Sequence, residues 1–541
     1  MAINIGMAFS GGGYRAATFN LGTLSFLNSV KLDDGKTLLD CVVALSSVSG
    51  GTIPAMKYML TRARDENVDK MVEDLFDFLR DEDLVTHALN GLSQEKTNPE
   101  VSGIKIMADI YDKYLFGETT LGEIIDNMGH IPVKDYTALA TDFESSLPFR
   151  FRVADTTVGK SYYFGNNDHR INLNHARQIT PGEALACSSC FPSGFEPMMF
   201  PEDFKFFGKI DDPQRYMTEV KNEKGETKYR GFAVMDGGVS DNQGIESILM
   251  AEERLHPHFI PQGSTNPKAL DLVIISDVSS PDMKSEYAPN EEMLPKWVNK
   301  LTFGRLGTYG VISEVVMLLL FVLALVNGSG FWTGVTSVIL AIVTLANVLG
   351  CLSKKKMFQA ISKTFIRDRA KFISNIKFSA LEALLMNRAK SVIIMSSEVF
   401  LKRLRQLAYG SIYDNKDWVN RVFSTTVYEL KHEKISKRIN NSLPSHLVPS
   451  EAIQQNSDKA ANMGTTLWFT PEEIADGMPE ALLANGQYTA CFNLLDHIEQ
   501  IRNDDTNLAP GTHQFLTSLE PQLLETWKKF QKDPFWMVPK K

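Results

Sequence analysis

The chain has 541 residues, a length that suits two to four ordinary domains or one large α/β fold with additions. With 43% hydrophobic and 22% charged residues it has the make-up of a globular protein with a sizeable core, which excludes a disordered chain. A formal net charge of -9 leaves no broad basic excess to meet phosphates, so no nucleic-acid partner is expected.

Five cysteines, an odd number scattered along the chain, do not make a disulfide framework and fit a reducing compartment. Cys187-x-x-Cys190 has the spacing of a redox pair, but it lies among small residues and no second pair completes a metal site. No secretory leader is expected. Ile3, Ile5, Met7 and Phe9 alternate with smaller or polar residues, the pattern of a strand at the very start.

Ser10-Gly11-Gly12-Gly13-Tyr14-Arg15 follows, then a predicted helix with Ala17, Leu21, Leu24 and Leu27 on one side. Three glycines between a strand and a helix bare their N–H groups to an anion, either a phosphate or a tetrahedral oxyanion. The spacing is wrong for G-x-G-x-x-G and no G-K-[ST] follows, which argues against a nucleotide.

The stretch Leu39 to Thr52 carries the strongest signal. An apolar run, Cys41 to Leu45, leads into small residues and Gly50-Gly51. A helix follows with Ile53, Met56, Leu60 and Ala63 on one face. A strand turning sharply into a helix on Ser-x-Ser-Gly-Gly is the geometry of a nucleophile elbow. Ser49 is the expected nucleophile, with Ser46 and Ser47 as alternatives. The helix N-terminus behind it favours an oxyanion.

Residues 65 to 130 read as helical. Met71, Leu75, Phe78 and Leu79 form one stripe and Ile104 to Leu115 another, separated by a loop with Gly91, Pro99 and Gly103. Strands are expected at Tyr136 to Ala140 and Phe149 to Val153. Ala184 to Pro197, rich in small residues, reads as a wall or a turn. Phe232 to Met235 is a short buried strand ended by Asp236-Gly237-Gly238, which places an Asp at the carboxyl end of a strand, where open α/β sheets hold functional groups. Leu270 to Ser276 is a further strand.

Val311 to Val326, broken only by Ser313 and Glu314, is almost wholly apolar. The turn Asn327-Gly328-Ser329-Gly330 joins it to a second apolar run, Phe331 to Leu352. At 1.5 Å per residue the runs reach about 24 and about 33 Å, against a hydrocarbon core of about 30 Å, so the second is the one expected to span. Lys296, Lys300 and Arg305 precede the hairpin and Lys354-Lys355-Lys356 follow it, which puts both feet on the cytoplasmic side. Trp297 and Trp332 suit opposite interfaces. Met357 to Ala389 reads as a basic amphipathic helical region, able to lie along a bilayer or to cover the sheet.

The glycine loop Ser10 to Arg15, the elbow Ser47 to Gly51, the block Ala186 to Pro197 and Asp236-Gly237-Gly238, in this order, resemble the patatin-like phospholipases, relatives of the cytosolic phospholipases. The likeness covers roughly residues 2 to 280, and Asn462 to Glu473 resembles the family's return to the core. One departure is Ser47, which stands where the family has its first elbow glycine.

The resemblance implies a patatin-like three-layer α/β/α hydrolase with a central, mostly parallel sheet. To this are added an inserted transmembrane-type helical hairpin and a helical C-terminal region. The expected divisions are 1–305 for the catalytic core, 306–352 for the hairpin, and 353–541 for a helical region that partly rejoins the core. The implied chemistry is a Ser49–Asp236 dyad with the N–H groups of Gly11, Gly12 and Gly13 as oxyanion hole. Gly51, Gly237 and Gly238 would shape the turns, and Arg15 would either order the loop or meet a lipid phosphate.

No metal and no cofactor are expected. His169 and His175 are the positions open to a triad histidine, without a motif of their own. The substrate would be a phospholipid or another acyl-ester lipid, and the bilayer a partner, with the body on the cytoplasmic side of a bacterial inner membrane. Room is left for a regulatory partner or ligand and for a homo-oligomer. Two other functions remain open at this point: a soluble carboxylesterase or thioesterase with a buried hairpin, and a membrane-embedded oligomerising effector with little hydrolase activity.

Overall fold

The alternation at the start of the chain makes a strand, β1 (Ile5–Phe9), whose burial on both faces sets it inside a ten-stranded mixed sheet. The computed structural model describes residues 3–94, 102–155, 163–192, 194–206, 213–221, 227–260, 268–279, 303–345, 347, 378–395, 399–440, 443–509 and 511–540. The chain divides into two units, one of Met1–Met283 with Ser397–Lys541 and one of Lys284–Ser396.

In the first unit the further strands are β2 (Val42–Val48), β3 (Asp135–Asp142), β4 (Pro148–Ala154), β5 (Tyr163–Gly165), β6 (Arg170–Asn172) and β7 (Met198–Phe200). After them come β8 (Thr218–Lys221), β9 (Thr227–Arg230), β10 (Phe232–Asp236), β11 (Leu272–Asp277) and β12 (Val422–Thr426). The sheet order is β12-β11-β1-β2-β3-β4-β5-β6; β10 joins β3 and carries β7, while β8 and β9 form a separate hairpin. From β12 to β3 the strands are parallel, and from β3 onward they are antiparallel.

The period of two divides the core. Ile5, Met7 and Phe9, with Leu272 and Ile274, face the helices Gly13–Ser29 and Met478–Asn503. Ala8, Val273 and Ile275 face the helices Ile245–Phe259 and Phe400–Tyr413. Parallel strands flanked by helices on both faces are the α/β fold expected from the sequence.

Residues 397–541 are part of this unit. They supply β12, which continues the parallel sheet beside β11 from Val422 to Thr426. Five residues reading VFSTT carry too little apolar pattern to mark a strand in advance. The Met478–Asn503 helix meets the Gly13–Ser29 helix at two glycines. A Cβ on Gly22 would come 2.2 Å from the Leu483 carbonyl oxygen, and one on Gly486 2.1 Å from that of Phe19. Glycine at both positions lets the backbones touch.

Two local readings change. Gly91 belongs to the helix Leu84–Gln94, and the expected loop around Pro99 lies outside the described residues. The block read as a wall or turn begins as a helix, Pro181–Ser189. Thr180 caps it, accepting from the Glu183 N–H at 3.0 Å and donating its own N–H to Glu183 at 2.8 Å.

In the second unit the helix Phe303–Val326 precedes a turn and the helix Gly330–Leu345. The first is described over its whole apolar run, whereas position 346 and residues 348–352 of the second run lie outside the described residues, so the expectation that the second spans is not tested. The 24 residues of the first start well before Val311, since Gly304, Thr308 and Gly310 continue the helix without being strongly apolar. At 1.5 Å per residue that is about 36 Å. Thr308–Val326 has a mean hydropathy of 2.5 with 6% buried, and among the described residues it is the one helix long and apolar enough to cross a membrane. Residues 357–377 of the basic region also lie outside the described residues. Asn347 donates to the Gly310 carbonyl at 3.0 Å and to Glu314 at 3.4 Å, so the acidic group of the hairpin is met from the facing helix.

The glycine contact gives a test of the packing. Gly22→Ala is expected to lower stability by about 1–3 kcal/mol, because the added methyl collides with a rigid backbone carbonyl. Urea denaturation measures this, and an unchanged midpoint would contradict the close crossing.

Candidate active site

β2 runs through Ser46 and Ser47 before the chain turns, so these serines lie in the sheet. Ser46 donates to the Gly244 carbonyl at 2.6 Å, and Ser47 shares a hydrogen bond with the Tyr136 hydroxyl at 3.1 Å. Both are buried and occupied. The fold thereby accommodates a serine side chain at position 47. Ser49, half-buried, follows Val48 with φ at +50°, a left-handed backbone that a residue with a Cβ adopts at a cost. The helix Thr52–Ala63 begins just beyond. A Cβ on Gly50 would lie 2.0 Å from the Gly13 carbonyl oxygen, and one on Gly51 2.5 Å from that of Ser10. The elbow glycines serve close approach to the glycine loop.

Asp236 arrives from the opposite direction. β2 pairs with β3 as far as Val48 opposite Leu139, and β10 takes the next step of β3 with Asp236 opposite Ala140. Two strand ends therefore meet head to head. The Asp236 carboxyl is fully buried, and its Oδ1 accepts from the Gly238 N–H at 2.6 Å. Thr141 holds the Asp236 carbonyl at 2.8 Å. Burial pushes the carboxyl up to about 7, against the opposing pull of the Gly238 N–H and the Ser49 hydroxyl. Oδ2 is buried with no hydrogen-bond partner among the described residues, and Ser49 is near enough to draw the carboxyl's proton affinity down. Gly237 is required by space, since a Cβ there would lie 2.2 Å from the Leu139 carbonyl oxygen. One on Gly238 would press on Asn242 and on Asp236 itself.

The glycine loop is only partly free. The Gly11 N–H donates to the Asn242 carbonyl at 2.9 Å, which removes it from the expected set of three oxyanion donors. The N–H groups of Gly12 and Gly13 have no partner among the described residues. Positive φ values of +140° and +58° at these two glycines aim the loop. The Cβ position of Gly11 is 3.2 Å from that of Ser49, so loop and elbow are in contact.

Arg15 follows the glycine loop on the helix Gly13–Ser29. It is buried and donates to the Met463 carbonyl at 2.7 Å, away from any lipid phosphate in solvent. Burial lowers its guanidinium to about 10, opposed by the charge of Asp277. The Tyr14 N–H donates to the Thr466 carbonyl at 2.7 Å, so the segment Asn462 to Glu473 closes over the loop.

His169 and His175 pair elsewhere: His169 with Asp142 at 2.6 Å and His175 with the Tyr216 hydroxyl at 2.7 Å. Cys187 and Cys190 are free, buried thiols raised by desolvation. Among the described residues no group of three or more His, Cys, Asp or Glu is arranged to hold a metal ion.

Sequence reasoning missed Asn242, Thr141 and Ser188. The first two carry no motif. Ser188 stands in the small-residue block, where nothing separates it from its neighbours until the contacts are seen. Its hydroxyl accepts from the Ser49 N–H at 2.9 Å and donates to the Leu139 carbonyl at 2.6 Å.

No family model matches the chain, and no curated protein matches it either. Among the solved structures it resembles is that of human GIVD cytosolic phospholipase A2, at 15% identity over 51% of this chain and 43% of that one, with a TM-score of 0.29. Two more are of the same human protein. One is in complex with methyl gamma-linolenyl fluorophosphonate, at 16% identity over 51% and 40%, TM-score 0.26. The other holds that inhibitor with terbium chloride, at 17% over 36% and 34%, TM-score 0.22. The chain spans less than half the length of these structures.

The left-handed backbone at Ser49 can be tested apart from any chemistry. Ser49→Gly is expected to be more stable than Ser49→Ala by about 1 kcal/mol, because glycine enters that region freely and alanine does not. Denaturation midpoints of the two variants decide it. An alanine variant equal to or above the glycine variant would contradict the strained elbow.

Proposed function

We propose that the protein is a membrane-attached serine acyl hydrolase of the phospholipase A type. One observation carries this: a serine on a strained strand-to-helix turn sits against a buried carboxyl raised to about 7, beside two glycine N–H groups with no partner among the described residues. Ser49 attacks the acyl carbonyl while Asp236 takes its proton, and the N–H groups of Gly12 and Gly13 receive the oxyanion. The ester bond breaks, the proton passes from Asp236 to the departing lysolipid alcohol, and the fatty acyl group stays on Ser49. Water then attacks the acyl-serine with Asp236 again as base. The fatty acid leaves as the proton returns to Ser49.

The raised carboxyl supports this role. An unperturbed aspartate near 3.9 is a weak base for a hydroxyl, whereas a group near 7 is matched to neutral conditions while still about half ionised. A lipid substrate is supported by the motifs of the patatin-like resemblance and by the apolar hairpin on the same chain. Phe303–Val326 exceeds the bilayer core in length, and lysines and arginines stand at both feet of the hairpin. On this reading the body lies on the cytoplasmic face, against its own substrate.

Hydrolysis of phospholipid vesicles by purified protein tests the dyad. Ser49→Ala and Asp236→Asn are each expected to lose at least about a thousandfold in kcat/KM; activity equal to the parent in both would remove the dyad. Because the ionised carboxyl is the working form, kcat/KM is expected to rise with pH through an apparent pKa of about 7 and then level. A limb below about pH 5 would contradict a buried base. Carbonate extraction of membranes is a separate check. The protein should stay with the pellet until detergent is added, and release by carbonate alone would favour a soluble esterase.

A further inference from the structure

Where β2 and β10 end head to head on β3, the Leu139 carbonyl is met by a side chain. Ser188, at the end of the Pro181–Ser189 helix, is fully buried and donates its hydroxyl hydrogen to that carbonyl at 2.6 Å. Its oxygen accepts from the Ser49 N–H at 2.9 Å. The Thr52 hydroxyl, 3.1 Å away, must be the donor in that contact, since the Ser188 hydrogen is already committed. The same helix end reaches the other half of the dyad through its backbone. The Ser188 carbonyl accepts from the Gly237 N–H at 3.2 Å, and that of Cys190 from the Asp236 N–H at 3.4 Å.

Resting on the dyad reading above, we propose that Ser188 is a positioning residue, which sets the separation of Ser49 and Asp236 and thereby the rate of acylation without touching the lipid. Its hydroxyl saturates three partners at once, and its own backbone is tied to the turn that carries the carboxyl. Loss of the hydroxyl leaves the Ser49 N–H and the Leu139 carbonyl buried and unpaired, so the elbow is free to shift against Asp236. Ser189, its neighbour, is an internal control. It is also buried, but its hydroxyl bonds to Leu185 in its own helix at 2.8 Å and to Tyr111 at 3.3 Å, with no link to the elbow.

The experiment is the kinetics of inactivation of the full-length protein by a long-chain alkyl fluorophosphonate, at several probe concentrations and pH values. In Ser188→Ala the maximal inactivation rate is expected to fall at least about tenfold. The half-saturating probe concentration should stay within about twofold, since binding is untouched. The pH limb should move upward, because a displaced Ser49 no longer pulls the Asp236 proton affinity down. Ser189→Ala should match the parent on all three. If Ser188→Ala does not fold, Thr52→Val removes one of the three bonds and should slow inactivation in the same direction by a smaller factor. Parent-like inactivation of Ser188→Ala, or slowing equal to that of Ser189→Ala with an unmoved pH limb, would overturn the positioning role. A parent protein that the probe never modifies would remove the dyad reading itself, and the inference with it.

Discussion

One edge of β3 brings the candidate site together. Two strands share that edge, β2 running with β3 and β10 against it, and they stop one residue apart at Leu139 and Ala140. A parallel strand that stops early leaves an unpaired step of ladder, and an antiparallel strand fills it from the other side. Because the two approach head on, the residue leaving one and the residue closing the other must meet. That Ser49 and Asp236 lie some 190 positions apart in sequence is immaterial once both strands pair with the same neighbour.

Burial then sets the chemistry. Asp236 is enclosed by the sheet and by the helix end at Ser188, with one N–H of its own turn for its carboxylate and, among the described residues, no cation in contact. Desolvation without a counter-charge raises a carboxyl, and the same desolvation makes each nearby N–H a stronger partner for developing negative charge. The cost is borne locally by the left-handed backbone at Ser49 and by glycines at positions where no Cβ fits. Arg15 and the returning segment around Thr466 brace the loop from behind.

Much of this was legible in advance, and the reasons are physical. The elbow showed because a turn so tight admits only small residues, and Asp236 because two glycines follow it for want of space. Which of the loop's N–H groups remain available was not legible: the answer depends on Asn242, which reaches Gly11 across more than two hundred residues and carries no local signature. β12 escaped because it is short and half polar. The early start of the first hairpin helix, at Phe303, was not legible because helices do not start where hydrophobicity does. Ser188 was hidden for a related reason, since one serine among several small residues acquires meaning only through what the fold places beside it.

The most direct measurement is the identity of the residue that a fluorophosphonate modifies, read by peptide mapping of the labelled protein. Modification at Ser49 alone, abolished in Asp236→Asn, is the expected result. A label on Ser46, Ser47 or any other serine, or equal labelling of Ser49 with the carboxylate removed, would contradict a nucleophile activated at the meeting point of β2 and β10.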